Sequence, residues 1–199
     1  MRYPGGKNNN GSYQQIISEI PLHGTYIELF SGSAAVYRNM YHSGLCYLVD
    51  LNPSVLPASM PSNTVCVCED VLSFLDGYKF DGSEFIYADP PYLYTTRRAG
   101  YKRIYKHEFG FRFQHNALLD RLCRLPCMVA ISGYWSELYQ YRLAFWRLKT
   151  WTVRTRTGVA SEYLWMNYGI PALLQDGRYV GSNYVDRQRL RRLAGVEVR

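Results

Sequence analysis

The 199 residues predict an α/β fold, a mostly parallel sheet of seven strands flanked by helices. Three observations carry this. Short apolar runs recur along the chain, the early ones stop abruptly at acidic residues, and stretches with helical spacing or short loops separate them. A hydrophobic fraction of 47% with 16% aromatic residues is enough for one substantial core and excludes wholesale disorder.

Asn8-Asn9-Asn10-Gly11-Ser12 reads as a short loop leading into a helix. Tyr26-Ile27-Glu28-Leu29-Phe30 is a first strand that breaks at Ser31-Gly32-Ser33, after which Ala34, Ala35, Val36 and Met40 suit a helix. Cys46-Tyr47-Leu48-Val49 is a second strand, ending at Asp50 and Leu51-Asn52-Pro53. Thr64-Val65-Cys66-Val67-Cys68 is a third, ending at Glu69-Asp70. Glu84-Phe85-Ile86-Tyr87-Ala88 runs into Asp89-Pro90-Pro91-Tyr92, where the prolines end the strand because they cannot donate to the ladder. Parallel strands so connected place a ligand at their carboxyl ends, near the switch point of the sheet. Residues 94–113 lack a helical or strand period and read as a long, partly ordered loop. Gln114 to Leu125 has amphipathic spacing through Leu118, Leu119 and Leu122. Residues 127–132 form a fifth strand, 136–141 a helix, and two further strands fall near 145–154 and 162–168, the last ended by Pro171. Asp186 to Leu193 is a basic helix candidate.

The net charge of +7 is unevenly spread. Residues 1–93 carry 4 basic and 9 acidic side chains, residues 94–199 carry 19 and 7. A basic half points to a polyanion, nucleic acid or an anionic membrane surface. No window approaches the roughly 20 apolar residues of a membrane span, and Met1 to Lys7 lacks the apolar core of a signal peptide. The expectation is a soluble cytoplasmic protein, bacterial or, for a viral chain, in the host cytoplasm. The five cysteines, at 46, 66, 68, 123 and 127, give C-x-C and C-x3-C without the paired spacing of a zinc site, so reduced thiols and no metal are expected. Pro126-Cys127 opens a buried strand, which makes Cys127 a core residue.

Asp50 ends the second strand some twenty residues after the turn at Gly32, a placement that lets a carboxylate accept from a ribose diol. The turn itself is F-x-G-x-A, Phe30 to Ala34, and lacks the full glycine pattern of a pyrophosphate site. A nucleoside ligand without phosphates fits better. Asp70 is placed to meet that ligand's adenine amino group, and the alternative for both aspartates is a helix N-cap. Asp89-Pro90-Pro91-Tyr92 is the strongest signal. Pro91 forces Pro90 extended and leaves carbonyls without strand partners. An exocyclic amine on a nucleobase has its lone pair delocalised into the ring, and becomes a nucleophile when a carboxylate and a carbonyl accept its two protons. Asp89 and the Pro90 carbonyl supply those acceptors, and Tyr92 offers a ring to stack on the base.

Residues 1–7 (with R-Y-P-G-G-K), 26–36 (Y-I-E-L-F-S-G-S-A-A-V), 48–53 (L-V-D-L-N-P), 87–92 (Y-A-D-P-P-Y) and 162–168 (E-Y-L-W-M-N-Y) together resemble, in order, the motifs of the Dam-like, DPPY-motif DNA adenine methyltransferases. The resemblance implies a Rossmann-like methyltransferase fold, S-adenosylmethionine as cofactor, and methyl transfer to the amino group of adenine in DNA, in settings such as restriction-modification. It implies that Tyr3, Gly5, Gly6 and Lys7 help bind the cofactor, with Lys7 also near the active site. Glu28, Phe30, Gly32, Ser33 and Ala34 would pass its methionine part, Asp50, Leu51 and Asn52 its ribose, and Asp70 and Val71 its adenine. Asp89, Pro90, Pro91 and Tyr92 would grip the target adenine, with Asp89 also bordering the cofactor. Residues 1–170 would be the catalytic domain and 171–199 a basic tail.

Two departures stand out. Ala34 replaces a glycine common in the family's first turn. Only 38 residues separate Asp50 from Asp89, too few for the helical recognition domain of the longer relatives, so short or relaxed specificity is expected. Sequence reading then falls to the 93–113 loop or the tail. The loop interleaves Arg97, Arg98, Lys102, Arg103, Lys106 and Arg112 with Tyr94, Tyr101, Tyr105, Phe109, Phe111 and Phe113, a pattern that suits phosphates and stacked bases of single-stranded or locally opened DNA. The alternative is a solvated loop whose rings pack on the domain. His107 and His115 flank it as candidate phosphate contacts or helix-end residues, and Ser132 and Tyr134 are candidates for the base pocket. Transfer to cytosine, action on RNA, and an inactive nucleic-acid-binding module remain open as other readings.

Overall fold

The computed structural model describes residues 7, 11–42, 44–97, 103–155, 158–181, 185–186 and 188–189. Seven strands form one sheet: β1 (Thr25–Leu29), β2 (Leu45–Val49), β3 (Thr64–Val67), β4 (Glu84–Ala88), β5 (Met128–Gly133), β6 (Arg147–Thr155) and β7 (Gly158–Met166). Their order is β3-β2-β1-β4-β5-β7-β6. The first five are parallel, and β7 alone runs the other way, wedged between β5 and β6. The order reverses between β1 and β4, so the switch point lies where β1 meets β4 and the Asp89 segment leaves the sheet.

Period-2 alternation divides the core into two layers. Ile27, Val49, Ile86, Ile131 and Trp165 point to one face, where they pack with α3 (Val71–Gly77), α4 (Arg112–Leu122) and α5 (Glu137–Arg142). Their neighbours Tyr26, Leu48, Phe85, Ala130 and Leu164 point to the other, against α1 (Ser12–Ile17) and α2 (Ala35–Asn39). β4 is buried along its whole length, as a central strand covered on both sides must be.

Local chemistry sets the helix ends. The Asp70 carboxylate accepts from the amides of Leu72 and Ser73 and starts α3, and the Ser136 hydroxyl accepts from the Tyr139 amide and starts α5. α4 begins at Arg112, two residues before the expected start, because Gln114 Oε1 accepts from the Phe111 amide at 3.1 Å and stabilises an earlier turn. Between β2 and β4 lie β3 and α3 and no further helix, so the short spacing leaves no inserted domain. Residues 174–179 return to the body: Leu174 bridges Pro21, Gln175 donates to the Ile20 carbonyl, and Asp176 accepts from the Tyr41 amide. The tail thus begins as part of the domain. Of the basic helix candidate, Arg187, Arg191 and Arg192 lie outside the described residues.

Candidate active site

The carboxyl ends of β1, β2 and β4 open on a cleft with about 890 Å³ of empty space, its mouth included. Lys7, Glu28, Phe30, Ser31, Ser33, Asp50, Leu51, Asp70, Val71 and Asp89 line it. The turn after β1 is bent by Phe30 and Ala34, both at positive φ (56° and 50°), a conformation costly for residues with a Cβ. Gly32, at φ 49°, donates its amide to Asp50 Oδ2 at 2.9 Å, and the Asn52 amide donates to Asp50 Oδ1 at 2.8 Å. Asp50 therefore caps no helix; it ties the ends of β1 and β2 together, and burial raises its pKa. Asp70 both caps α3 and borders the cleft. Asn52 and Ala34 do not line it, and Tyr3, Gly5 and Gly6 lie outside the described residues.

Glu28 is buried at the floor of this cleft. Its Oε2 accepts from the Tyr26 hydroxyl at 2.8 Å and the Tyr37 amide at 2.9 Å. Burial pushes its carboxyl up to about 8 despite those two bonds. Ser31, which sequence reading passed over in favour of Ser33, has a buried hydroxyl without a partner among the described residues.

The Asp89-Pro90-Pro91-Tyr92 segment follows β4. Asp89 Oδ1 accepts from the Ser132 hydroxyl at 2.7 Å and meets Lys7 Nζ at 3.1 Å. Since Ser132 spends its one proton there, Tyr87 donates to Ser132 Oγ, at 2.9 Å. Both contacts fall on Oδ1 and leave Oδ2 without a partner among the described residues. Lys7 also reaches Glu162 Oε1 at 3.3 Å and donates to the Tyr92 hydroxyl, with its ammonium 5.0 Å from that ring's centre. Burial works against the ammonium, yet Asp89 and Glu162 outweigh it and hold the Lys7 pKa well above the ordinary lysine value. Burial raises the Asp89 carboxyl against the pull of Lys7. Two carboxylates around one cation leave the site short of positive charge.

The carbonyls that follow Asp89 are unequally occupied. That of Pro91 accepts from His115 and that of Tyr92 from Arg97 Nε, at 2.7 Å. No described residue donates to the carbonyl of Pro90. Tyr92 packs edge-on against Tyr134, with ring centres 4.5 Å apart.

The loop differs from its expected role at several positions. Arg97, expected on nucleic acid, is 5% exposed; its guanidinium pairs with Glu108 at 2.8 Å and lies 4.8 Å from the Tyr94 ring centre. A cation beside DPPY with an acid eleven residues on is better placed to brace the loop than to meet phosphate. Phe109 is in the core against Phe30, and Tyr105, His107 and Phe109 line the first cleft as its roof. His115, expected at a phosphate or helix end, is 1% exposed inside the fold. Arg103, Lys106 and Arg112 are exposed, and Tyr94 is half-buried. Arg98, Tyr101 and Lys102 lie outside the described residues. Among the described residues no cluster of His, Cys, Asp or Glu could hold a metal ion, and no helix is long and apolar enough to cross a membrane.

No protein-family model and no curated protein matches the chain in sequence. Solved structures match in fold. The N-methyltransferase NodS from Bradyrhizobium japonicum WM9 superposes with a TM-score of 0.57 at 9% identity, over 82% of this chain and 100% of that one. The precorrin 8w decarboxylase from Methanobacterium thermoautotrophicum gives 0.55 at 10%, over 84% and 94%. An rRNA methylase from Streptococcus thermophilus gives 0.50 at 12%, over 77% and 93%. At these identities the likeness is one of architecture: the chain has the Rossmann-like methyltransferase fold, with a seven-stranded mixed sheet and helices on both faces.

Proposed function

We propose that the protein is an S-adenosylmethionine-dependent methyltransferase acting on the exocyclic amino group of adenine in DNA, with short or relaxed sequence specificity. The observation that carries this is a pair of acceptors at the end of β4 that no described residue occupies, Asp89 Oδ2 and the Pro90 carbonyl. Two acceptors on consecutive residues of a segment stiffened by two prolines match the two N–H donors of a nucleobase amine, and hydrogen bonding to both draws the nitrogen lone pair out of the ring.

The residues present fit the cofactor. The unpartnered Ser31 hydroxyl, the carboxylates of Asp50 and Asp70, and an acidic surplus around Lys7 suit a ligand with hydroxyl, amino and cationic groups. When bound, S-adenosylmethionine supplies an electrophilic methyl group on a sulfonium. Asp89 orients the amine, the Pro90 carbonyl accepts its other proton, and Lys7 and Ser132 hold the Asp89 carboxylate from turning away. The extra proton on the methylated amine leaves to Asp89 or to water. Pro91 and Tyr92 close the wall beside the base.

The test is incubation with methyl-labelled cofactor and DNA, RNA or neither, followed by digestion to nucleosides. N6-methyladenosine of the deoxy series supports the reading; label in a cytosine product, in RNA alone, or in neither overturns it. Genome-wide mapping that found one long, strict target would overturn the relaxed specificity.

A further inference from the structure

A second, wider cleft opens on the other side of the Asp89–Tyr92 wall. Pro91 lines the first cleft, whereas Leu93, Tyr94, Thr95 and Thr96 line the second, so one short segment separates the two. Tyr134, whose ring centre lies 4.5 Å from that of Tyr92, lines the second cleft, and Trp135 follows it at the carboxyl end of β5. Trp135 is 48% exposed and Phe111 49%. Phe111 is held in place by an edge contact with Tyr94 at 5.0 Å and a stacked contact with Phe113 at 5.7 Å. Tyr94, Phe111, Tyr134 and Trp135 thus line one concavity, and apolar surface gathered in this way marks binding sites.

The charge of this cleft selects among occupants. Arg103 and Arg112 line it and are exposed, and no described residue pairs with either guanidinium. Glu137 is the one acid in its lining, at the first turn of α5, where the helix dipole favours it. Aromatic faces with exposed arginines at the rim match a strand of nucleic acid, whose bases are flat and whose backbone is anionic.

We propose that this second cleft holds a nucleotide of a single strand adjoining the target, its base stacked on Trp135 and its phosphates met by Arg103 and Arg112. The proposal rests on the nucleic-acid reading of the first cleft and adds a site outside it. A flanking base held here gives the enzyme a grip on an opened strand.

The experiment titrates a fluorescent single-stranded oligodeoxynucleotide into the full chain and reads anisotropy over a series of salt concentrations. Trp135→Ala should weaken binding by about tenfold or more, and Trp135→Phe should restore most of it. The double variant Arg103→Ala/Arg112→Ala should lower the salt slope by about 1.4, and it tests the cleft even where Trp135→Ala fails to fold by circular dichroism. Unchanged affinity and salt slope in these variants overturn the proposal. So does a loss of binding that sedimentation traces to separation of two copies of this chain. With methyl transfer measured in parallel, wild-type protein that binds the oligonucleotide but transfers nothing overturns the proposed function alone. Wild-type protein that transfers, with KM unmoved in Trp135→Ala, overturns the cleft alone.

Discussion

His115 Nε2 lies 3.2 Å from the carbonyl of Pro91, and its Nδ1 lies 2.8 Å from the Tyr139 hydroxyl. A carbonyl only accepts, so Nε2 carries the proton and Tyr139 donates to Nδ1. Burial lowers the His115 pKa to about 4, which keeps the ring neutral and this direction of bonding fixed. A buried chain from α5 through α4 thus holds the proline wall. His115→Ala should lower kcat by about a hundredfold, the scale of a small misplacement of reacting groups, while cofactor affinity changes little. His115→Gln, which can still donate, should recover part of it. The wild-type pH–rate profile should show no step from this residue between pH 5.5 and 9.

Asp89→Ala should abolish transfer while cofactor binding, measured by calorimetry, largely persists. Robust methylation by this variant would contradict the role of Oδ2. Ser132→Ala, which removes one of the two bonds on Oδ1, should cost about tenfold in kcat, a smaller loss because Lys7 remains.

Lys7→Met leaves Asp89 and Glu162 buried near each other without their cation. The loss should be about 3 kcal/mol of stability in chemical denaturation, typical of a broken buried pair. Adding Glu162→Gln should recover a good part of it, and that non-additivity is the signature to look for.

Glu28 titrates near 4.5 unfolded and about 8 folded. The folded state holds the proton more tightly, so this carboxyl's contribution to stability is full below pH 4.5 and is lost as pH rises through 8. Denaturation midpoints should fall from pH 5 to pH 8.5. Glu28→Gln, permanently neutral, should flatten that slope.

Ala34 stands at φ 50° with ψ 46° and caps α2 without a side-chain bond. Ala34→Gly should relieve the left-handed strain and raise stability by about 1 kcal/mol, read as a higher Tm. A lower Tm would show that the methyl packs well enough to offset the strain.

The sheet was legible from the sequence because each strand carries its own signal. Alternation places Tyr26 and Ile27, or Phe85 and Ile86, on opposite faces without reference to anything distant, and the double proline marks where β4 must stop. The position of Asp89 at the end of β4 was legible for the same reason. Lys7 is brought to the same site in the sequence only by the family resemblance, and its contact with Glu162, 155 positions away, exists only through the folded sheet. The loop hid its roles differently. Phe109 faces the core, Tyr105 and His107 roof one cleft, and Arg103 and Phe111 line the other, so no single period survives. Arg97 reads as one more cation among several until Glu108 and the Tyr92 carbonyl fold around it.

The reversed strand β7 bears on how the molecule is made. It is last in sequence yet sits inside the sheet, between β5 and β6, and carries Glu162. β1 to β5 pair with one another in parallel without it, and Lys7 and Asp89 both lie ahead of it in the chain. Only when the β6–β7 hairpin docks does the second carboxylate arrive. The Lys7–Asp89 pair is thus complete without this hairpin, whereas the second carboxylate, and with it the acidic surplus that suits a cationic cofactor, comes only with β7.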